Sequence, residues 1–254
     1  MSNKIFDKKI AVISGGRTGI GAAMSERFCN LGATVISLDL FQSAESGWNS
    51  EYTILNLVCD VTDEPSIERA FLEIKKQFSK VDLLCVNAGI VPEWNSSKDT
   101  SIEVWNKVLQ VNVTGAAMTL KHAIDLLNAT GASVLFTGSI NSWKGDGNIA
   151  PYVASKHAIL GIIKSAAIEL GAKGVRVNGI GPGPIATEAL INRVKNRTSG
   201  DEMQFQKSIE GLKSATALKR MATVEEVVNT AEFLLSDAAS GITGQLITVD
   251  CGIL

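Results

Sequence analysis

Tyr152-Val153-Ala154-Ser155-Lys156 sets a phenol and an ammonium four residues apart. On an α-helix that spacing brings both side chains to one face. A phenol titrates near ~10 and is a poor base at neutral pH. A cation a few ångströms away stabilises the phenolate and brings that value down. Such a pair could pass a proton to or from a substrate oxygen. The same spacing also occurs on ordinary amphipathic helix surfaces, so the pair needs a scaffold that turns it toward a cleft.

A second group of residues suggests what shares that cleft. Ser14-Gly15-Gly16-Arg17-Thr18-Gly19-Ile20-Gly21 stands between an apolar run and a helical pattern. Glycines there let the chain turn tightly and bring backbone N–H groups close to a pyrophosphate, and the helix N-terminus adds favourable dipole charge. The spacing G-x-x-x-G-x-G differs from the G-x-G-x-x-G of long dehydrogenases. Its place directly after the first strand is what favours a dinucleotide site. Asp39 ends the second expected strand, 24 residues after Gly15. A carboxylate there accepts hydrogen bonds from both ribose hydroxyls of NAD and repels the 2′-phosphate of NADP. Leu40, Phe41 and Gln42 offer that phosphate no cation, whereas Arg17 in the glycine turn could grip it. NAD is the expected cofactor, with NADP possible.

The elements that must hold these residues can be read from periodicity. Lys9–Ser14, Thr34–Asp39, Tyr52–Cys59, Asp82–Val86, Ser133–Thr137, Val175–Ile180 and Gln245–Asp250 read as strands. Several are continuously apolar, as strands covered on both faces are. Ile20, Met24, Phe28 and Leu31, and then Ile67, Phe71, Ile74 and Phe78, recur at helical spacing. Thr100 with Glu103 and Thr223 with Glu226 fit capping boxes, and Gly32 and Gly131 read as helix stops. Alternating strands and helices predict an α/β fold: a Rossmann-like, doubly wound parallel sheet of about seven strands with helices on both faces. No linker divides the chain, so residues 1–254 are read as one domain. Pro182–Met221 is the least regular stretch.

Composition narrows the class further. The 254 residues are 45% hydrophobic and 20% charged, with a net charge of -2. Without a basic stripe, a nucleic-acid partner is not expected. The apolar runs are too short to span a bilayer, and the start MSNKIFDKKIAVISGG lacks a signal-peptide pattern, so a cytoplasmic location away from the membrane is expected. Cys29, Cys59, Cys85 and Cys251 form no C-x-x-C pair and read as reduced thiols, and with His122 and His157 they suggest no metal site.

Taken in order, these pieces resemble the short-chain dehydrogenase/reductase family in its compact single-domain form. The glycine turn is joined by Asp60-Val61, Asn87-Ala88-Gly89, Asn112, Ser139, the Tyr152/Lys156 pair and Pro182-Gly183 with Thr187. Ser139 lies 13 residues before Tyr152, as in the family pattern. The resemblance implies that Tyr152 is the acid/base. Lys156 would lower the Tyr152 pKa and hold the nicotinamide ribose. Ser139 would hydrogen-bond the substrate oxygen, and Asn112 would hold a water of a proton relay. It further implies that Gly15, Gly19, Ile20 and Gly21 lie along the pyrophosphate, Asp60 and Val61 about the adenine, and Asn87 and Gly89 along the ribose. Pro182, Gly183, Ile185 and Thr187 would fix the nicotinamide amide. Asp60 could instead cap the next helix, Asn112 could bond its own helix backbone, and Ser139 could be a turn residue. The chain departs from the common pattern at Ser14, Val86, Gly138 and Cys251.

The expected partner is a small-molecule alcohol or ketone, met by Ile90–Lys98, Ile140–Ala150 and a lid over Ala186–Leu218. That lid would order on ligand binding. Trp94 and Trp143 could wall the site or simply pack loops. The cations between residues 188 and 220, Arg193 among them, could meet an anionic group or form a solvated helix face. The resemblance also implies a homotetramer. Two other readings remain: an NADPH-dependent 3-ketoacyl-thioester reductase and a non-catalytic dinucleotide-binding regulator.

Overall fold

The computed structural model describes residues 4–40, 47–49 and 53–253. Phe41, Gln42 and Tyr52 lie outside them. The strands are β1 (Ile10–Ser14), β2 (Thr34–Asp39), β3 (Gly47–Asn49), β4 (Ile54–Val58), β5 (Leu83–Val86), β6 (Ser133–Thr137), β7 (Arg176–Pro182) and β8 (Leu246–Val249). They form one sheet in the order β3-β4-β2-β1-β5-β6-β7-β8. Every pairing is parallel except β3 with β4. The sheet therefore has eight strands rather than about seven. The additional β3 is a three-residue antiparallel edge.

The helices are α1 (Gly19–Asn30), α2 (Glu64–Gln77), α3 (Ile102–Leu109), α4 (Ala116–Ala123), α5 (Ala150–Gly171), α6 (Glu188–Arg197), α7 (Glu202–Ser214) and α8 (Val224–Leu235). Alternate side chains of each strand feed two cores. Val12, Leu84, Val134 and Val177 meet α2, α4 and α5, while Ala11, Ile13, Cys85 and Leu135 meet α1 and α8. Burial on both faces is the reason the strands read as unbroken apolar runs.

Local signals explain most helix boundaries. Thr223 and Glu226 form the capping box expected at α8. At α3 the cap is Ser101, which accepts from the Val104 N–H, and not Thr100. Thr100 instead donates to the Ser96 carbonyl at 2.8 Å, so a one-residue shift decides which hydroxyl caps. Gly32 closes α1 with φ +97°. Gly131 does not stop a helix directly; it turns the chain after a short 3₁₀ segment, Ile124–Leu126. The stretch expected to be irregular carries α6 and α7. These start at the Thr187 and Asp201 caps and share a small core of Leu190, Val194 and Ile209.

Among the described residues no helix is long and apolar enough to cross a membrane, and no cluster of side chains could hold a metal ion. All four cysteines are free thiols, and burial pushes Cys59 up to about 12.

Strand order reverses between β1 and β5. The crevice beyond the carboxyl ends of those two strands is where an open α/β sheet receives a ligand. The turn after β1 and the Asn87 segment after β5 both open there.

Candidate active site

A cleft of about 1130 Å³ occupies this crevice. At one end Gly15 (φ +66°) turns the chain out of β1. A Cβ on it would approach the Ala88 Cα to 2.8 Å, so only glycine lets the two loops close. Gly19 (φ +57°) opens α1, and a Cβ added there meets nothing within 4 Å. Thr18 makes no side-chain cap. The first-turn N–H groups of α1 are therefore left as donors beside the cleft wall formed by Gly19 and Ile20. Gly21 is not part of that wall; it packs against the Gly15 carbonyl oxygen and Asn87. A Cβ on Gly21 would collide with the Gly15 carbonyl oxygen, so the turn itself requires glycine there.

Asp39 and Leu40 bound the same end of the cleft. The Asp39 carboxylate accepts from the Arg17 N–H at 2.9 Å and the Leu40 N–H at 2.7 Å, so the glycine turn itself fixes its orientation. The Arg17 guanidinium lies outside the cleft wall and donates to the Leu40 carbonyl at 3.4 Å. Asp60, Val61 and Thr62 form the neighbouring wall. Asp60 does not cap α2, whose cap position is Asp63. It accepts from the Thr62 N–H at 2.8 Å and the Thr62 hydroxyl at 2.7 Å, shaping a tight turn.

Asn87 and Gly89 line the middle of the cleft. The Asn87 side chain is committed on both sides: its Nδ2 donates to the Gly15 carbonyl at 3.0 Å, and its Oδ1 accepts from the Thr137 hydroxyl at 2.9 Å. It ties the ends of β1 and β6 together. The Ser14 hydroxyl accepts from the Asn87 and Ala88 N–H groups at 3.0 and 3.2 Å, so serine in place of threonine keeps the bracing oxygen.

Asn112 stands behind the wall, buried within a π-helical turn, Gln110–Gly115. Its Oδ1 accepts from the Ile90 N–H at 2.7 Å. Its Nδ2 donates to the Ile90 carbonyl at 2.9 Å and to the Ser155 hydroxyl at 3.0 Å. It bonds a neighbouring segment and α5 rather than its own helix.

Tyr152, Lys156 and Ser139 converge on one wall. α5 places Lys156 one turn after Tyr152, with Nζ 5.6 Å from the ring centroid. Nζ donates to the Thr137 carbonyl at 2.8 Å. Burial pushes the ammonium down to about 8. Ser139 is a turn residue as well as a wall residue, since its hydroxyl accepts from the Asn141 N–H at 3.1 Å. Burial raises the Tyr152 phenol above its ordinary range, opposed by the hydrogen bond with Ser139 and by the charge of Arg193. The ammonium is engaged at Thr137, and Arg193 is a further cation whose charge reaches the phenol.

Comparison with known proteins fits this geometry. The family model described as enoyl-(acyl carrier protein) reductase matches residues 15–254. Short-chain dehydrogenase reductase 5 of Arabidopsis thaliana is 36% identical over 261 residues, covering 99% of this chain and 96% of that protein. The chain belongs to the short-chain dehydrogenase/reductase family. Among solved structures, NAD+-bound xylitol dehydrogenase superposes with a TM-score of 0.90 at 25% identity, covering 97% of this chain and 99% of the other. Ligand-free aldohexose dehydrogenase of Thermoplasma acidophilum gives 0.88 at 27% identity, covering 98% and 95%.

In this dehydrogenase/reductase the far end of the cleft is closed by Pro182, Gly183, Ile185 and Thr187, followed by α6. Trp94 does not line the cleft; it stacks under Arg197, 4.2 Å from ring centroid to guanidinium, and packs against the α6–α7 core. Trp143 is 51% exposed. Neither tryptophan walls the site. Sequence reading missed Thr137, whose carbonyl and hydroxyl hold Lys156 and Asn87, and gave no priority to Arg193 within its run of cations.

Cys251 replaces a usual glycine and adopts φ +57°, a left-handed conformation that strains an L side chain. Its carbonyl accepts from the Leu218 N–H at 3.1 Å, holding the end of the α6–α7 segment. Cys251→Gly is expected to stabilise the protein by about 1 kcal/mol, offset in part by the freer unfolded chain. Thermal denaturation should show a rise of about 2–4 °C; a fall would mean the thiol's packing outweighs the strain.

Proposed function

We propose that the protein is an NAD(H)-dependent oxidoreductase that interconverts a secondary alcohol and a ketone, the whole chain serving as one dinucleotide-binding domain. The observation that carries the reading is the convergence of the Tyr152 phenol, the Ser139 hydroxyl and the Lys156 ammonium on the wall of a cleft whose other end is the uncapped α1 N-terminus and Asp39. The residues present fit a nicotinamide dinucleotide. The α1 donors and Gly19 suit the pyrophosphate, the oriented Asp39 carboxylate suits an unphosphorylated ribose, and Lys156 suits the second ribose. The bound dinucleotide supplies the hydride acceptor or donor.

The chain's own residues then have distinct tasks. Ser139 hydrogen-bonds the substrate oxygen and steadies charge as it develops. Tyr152 takes the hydroxyl proton during oxidation and returns it during reduction. Lys156 supplies positive charge beside the phenol, and Asn112 orients a relay water. Trp94 and Trp143 are left out of this scheme. The relatives named as xylitol and aldohexose dehydrogenases support chemistry at a carbinol carbon. We place the protein in the cytoplasm as a homotetramer. Ile168 on α5, 84% exposed, and Ile247 on β8 offer apolar surface for such an assembly, and light scattering would measure its mass.

A screen of secondary alcohols and ketones, followed through the absorbance of reduced nicotinamide with each cofactor, tests the reaction. NAD is expected to exceed NADP in kcat/KM. Asp39→Ser should reverse or level that preference by removing the repelling carboxylate, a change of about 10-fold or more. Wild-type preference for NADP would instead assign the 2′-phosphate to Arg17 and favour the thioester-reductase reading.

A further inference from the structure

Arg193 projects from α6 into the cleft wall that holds Tyr152. Its Nε is buried and has no hydrogen-bond partner among the described residues. Its charge reaches Tyr152, Glu93 and Asp146, which places the guanidinium at the substrate end of the cleft, away from Asp39. Burial pulls it below the usual guanidinium range, as expected of a desolvated cation. The nearby acids do not settle its charge. Asp146 is reached by the charge of Arg197 most strongly, then by that of Lys144 and Arg193.

A desolvated cation with an unsatisfied donor is costly unless a partner arrives. The planar guanidinium fork matches a carboxylate through two parallel hydrogen bonds. The cleft that holds Arg193 and the reacting groups also has apolar lining from Ile90, Val91, Ile185 and Leu190. Those side chains suit a short hydrocarbon chain between the two polar ends of a substrate.

We propose that Arg193 anchors the substrate, and that the substrate is a secondary alcohol or ketone bearing a carboxylate within a few carbons of the reacting carbon. The proposal rests on the reading of Tyr152 as the acid/base. Arg193 binds the carboxylate, α6 carries it over the cleft, and the carbinol is thereby held against Tyr152 and Ser139.

The test compares 2-, 3- and 4-hydroxypentanoate with the corresponding amides as substrates in the presence of NAD. At least one carboxylate is expected to exceed its amide in kcat/KM by about 10-fold or more. In Arg193→Met that ratio should fall to near one, with Arg193→Lys between. A ratio near one in the wild type, or one that survives in Arg193→Met, overturns the proposal. A second arm needs no turnover: calorimetric titration of pentanoate and pentanamide into the NAD-loaded protein. Pentanoate should bind the wild type about 10-fold more tightly than it binds Arg193→Met, and pentanamide should not discriminate. Equal pentanoate binding by both proteins overturns the anchor. Arg193-dependent binding without turnover of any hydroxypentanoate retains the anchor and rejects the reaction assigned to Tyr152.

Discussion

Tyr152→Phe is expected to lower kcat by about 10²–10⁴-fold while leaving dinucleotide affinity within a few-fold. The substitution removes one oxygen and keeps the ring. The ring stays packed, so α5 and the neighbouring Lys156–Thr137 bond should persist. The lost hydroxyl is the group that exchanges the proton, and Ser139 alone has no reason to ionise at neutral pH. The chain contains only two tyrosines, so the ultraviolet difference between wild type and Tyr152→Phe isolates the ionisation of this phenol. In the ligand-free protein it should ionise above the ordinary 10, because burial dominates. Turnover that survives in Tyr152→Phe would remove the phenol from the reaction, and ionisation well below 10 would show that a cation outweighs burial.

The second large effect concerns Lys156. Its folded pKa of about 8, against 10.5 for a free lysine, means the charged form is disfavoured by about 3 kcal/mol. The sign follows from proton counting. Between about 8 and 10.5 the unfolded chain holds a proton that the folded chain has released, so stability rises with pH across that window. Below it the penalty is fully present. Lys156→Met removes the penalty but leaves the Thr137 carbonyl without its donor, which costs about 1–3 kcal/mol. At pH 6 the variant should be more stable by about 1 kcal/mol, or about 2–4 °C in Tm. The wild type should close that gap as pH approaches 10. Turnover should fall by about 10²-fold or more, since the charge beside the phenol and ribose is gone. A variant that is less stable at pH 6, with a gap that does not narrow as pH rises, would show that the ammonium is well satisfied where it sits. The expected result, by contrast, is that of a protein holding an energetically unfavourable cation for catalysis, a common pattern at functional sites.

Much of this architecture could be read from the residues, for identifiable reasons. The apolar runs that became β1, β5 and β6 are buried on both faces, so their composition alone marks them. The turn at Gly15 is legible because few other residues could serve there. What remained hidden depends on contacts distant in sequence. Asn87 holds Gly15 across 72 residues and Thr137 across 50, and neither spacing carries a local signal. β3 is too short for any period to register. Ser101 and Thr100 are equivalent as caps until the backbone chooses one. Arg193 was one cation among many until the fold turned it inward. The bond from Lys156 to the Thr137 carbonyl, 19 residues away, likewise has no local signal.

The account stands most directly on where the hydrogen of the carbinol goes. Secondary alcohols deuterated at the carbinol carbon, incubated with the protein and NAD, should place deuterium on the nicotinamide ring of the reduced product, as read by mass spectrometry, and Tyr152→Phe should sharply slow the transfer. Reduced nicotinamide free of deuterium, or label transferred equally fast by Tyr152→Phe, would contradict it.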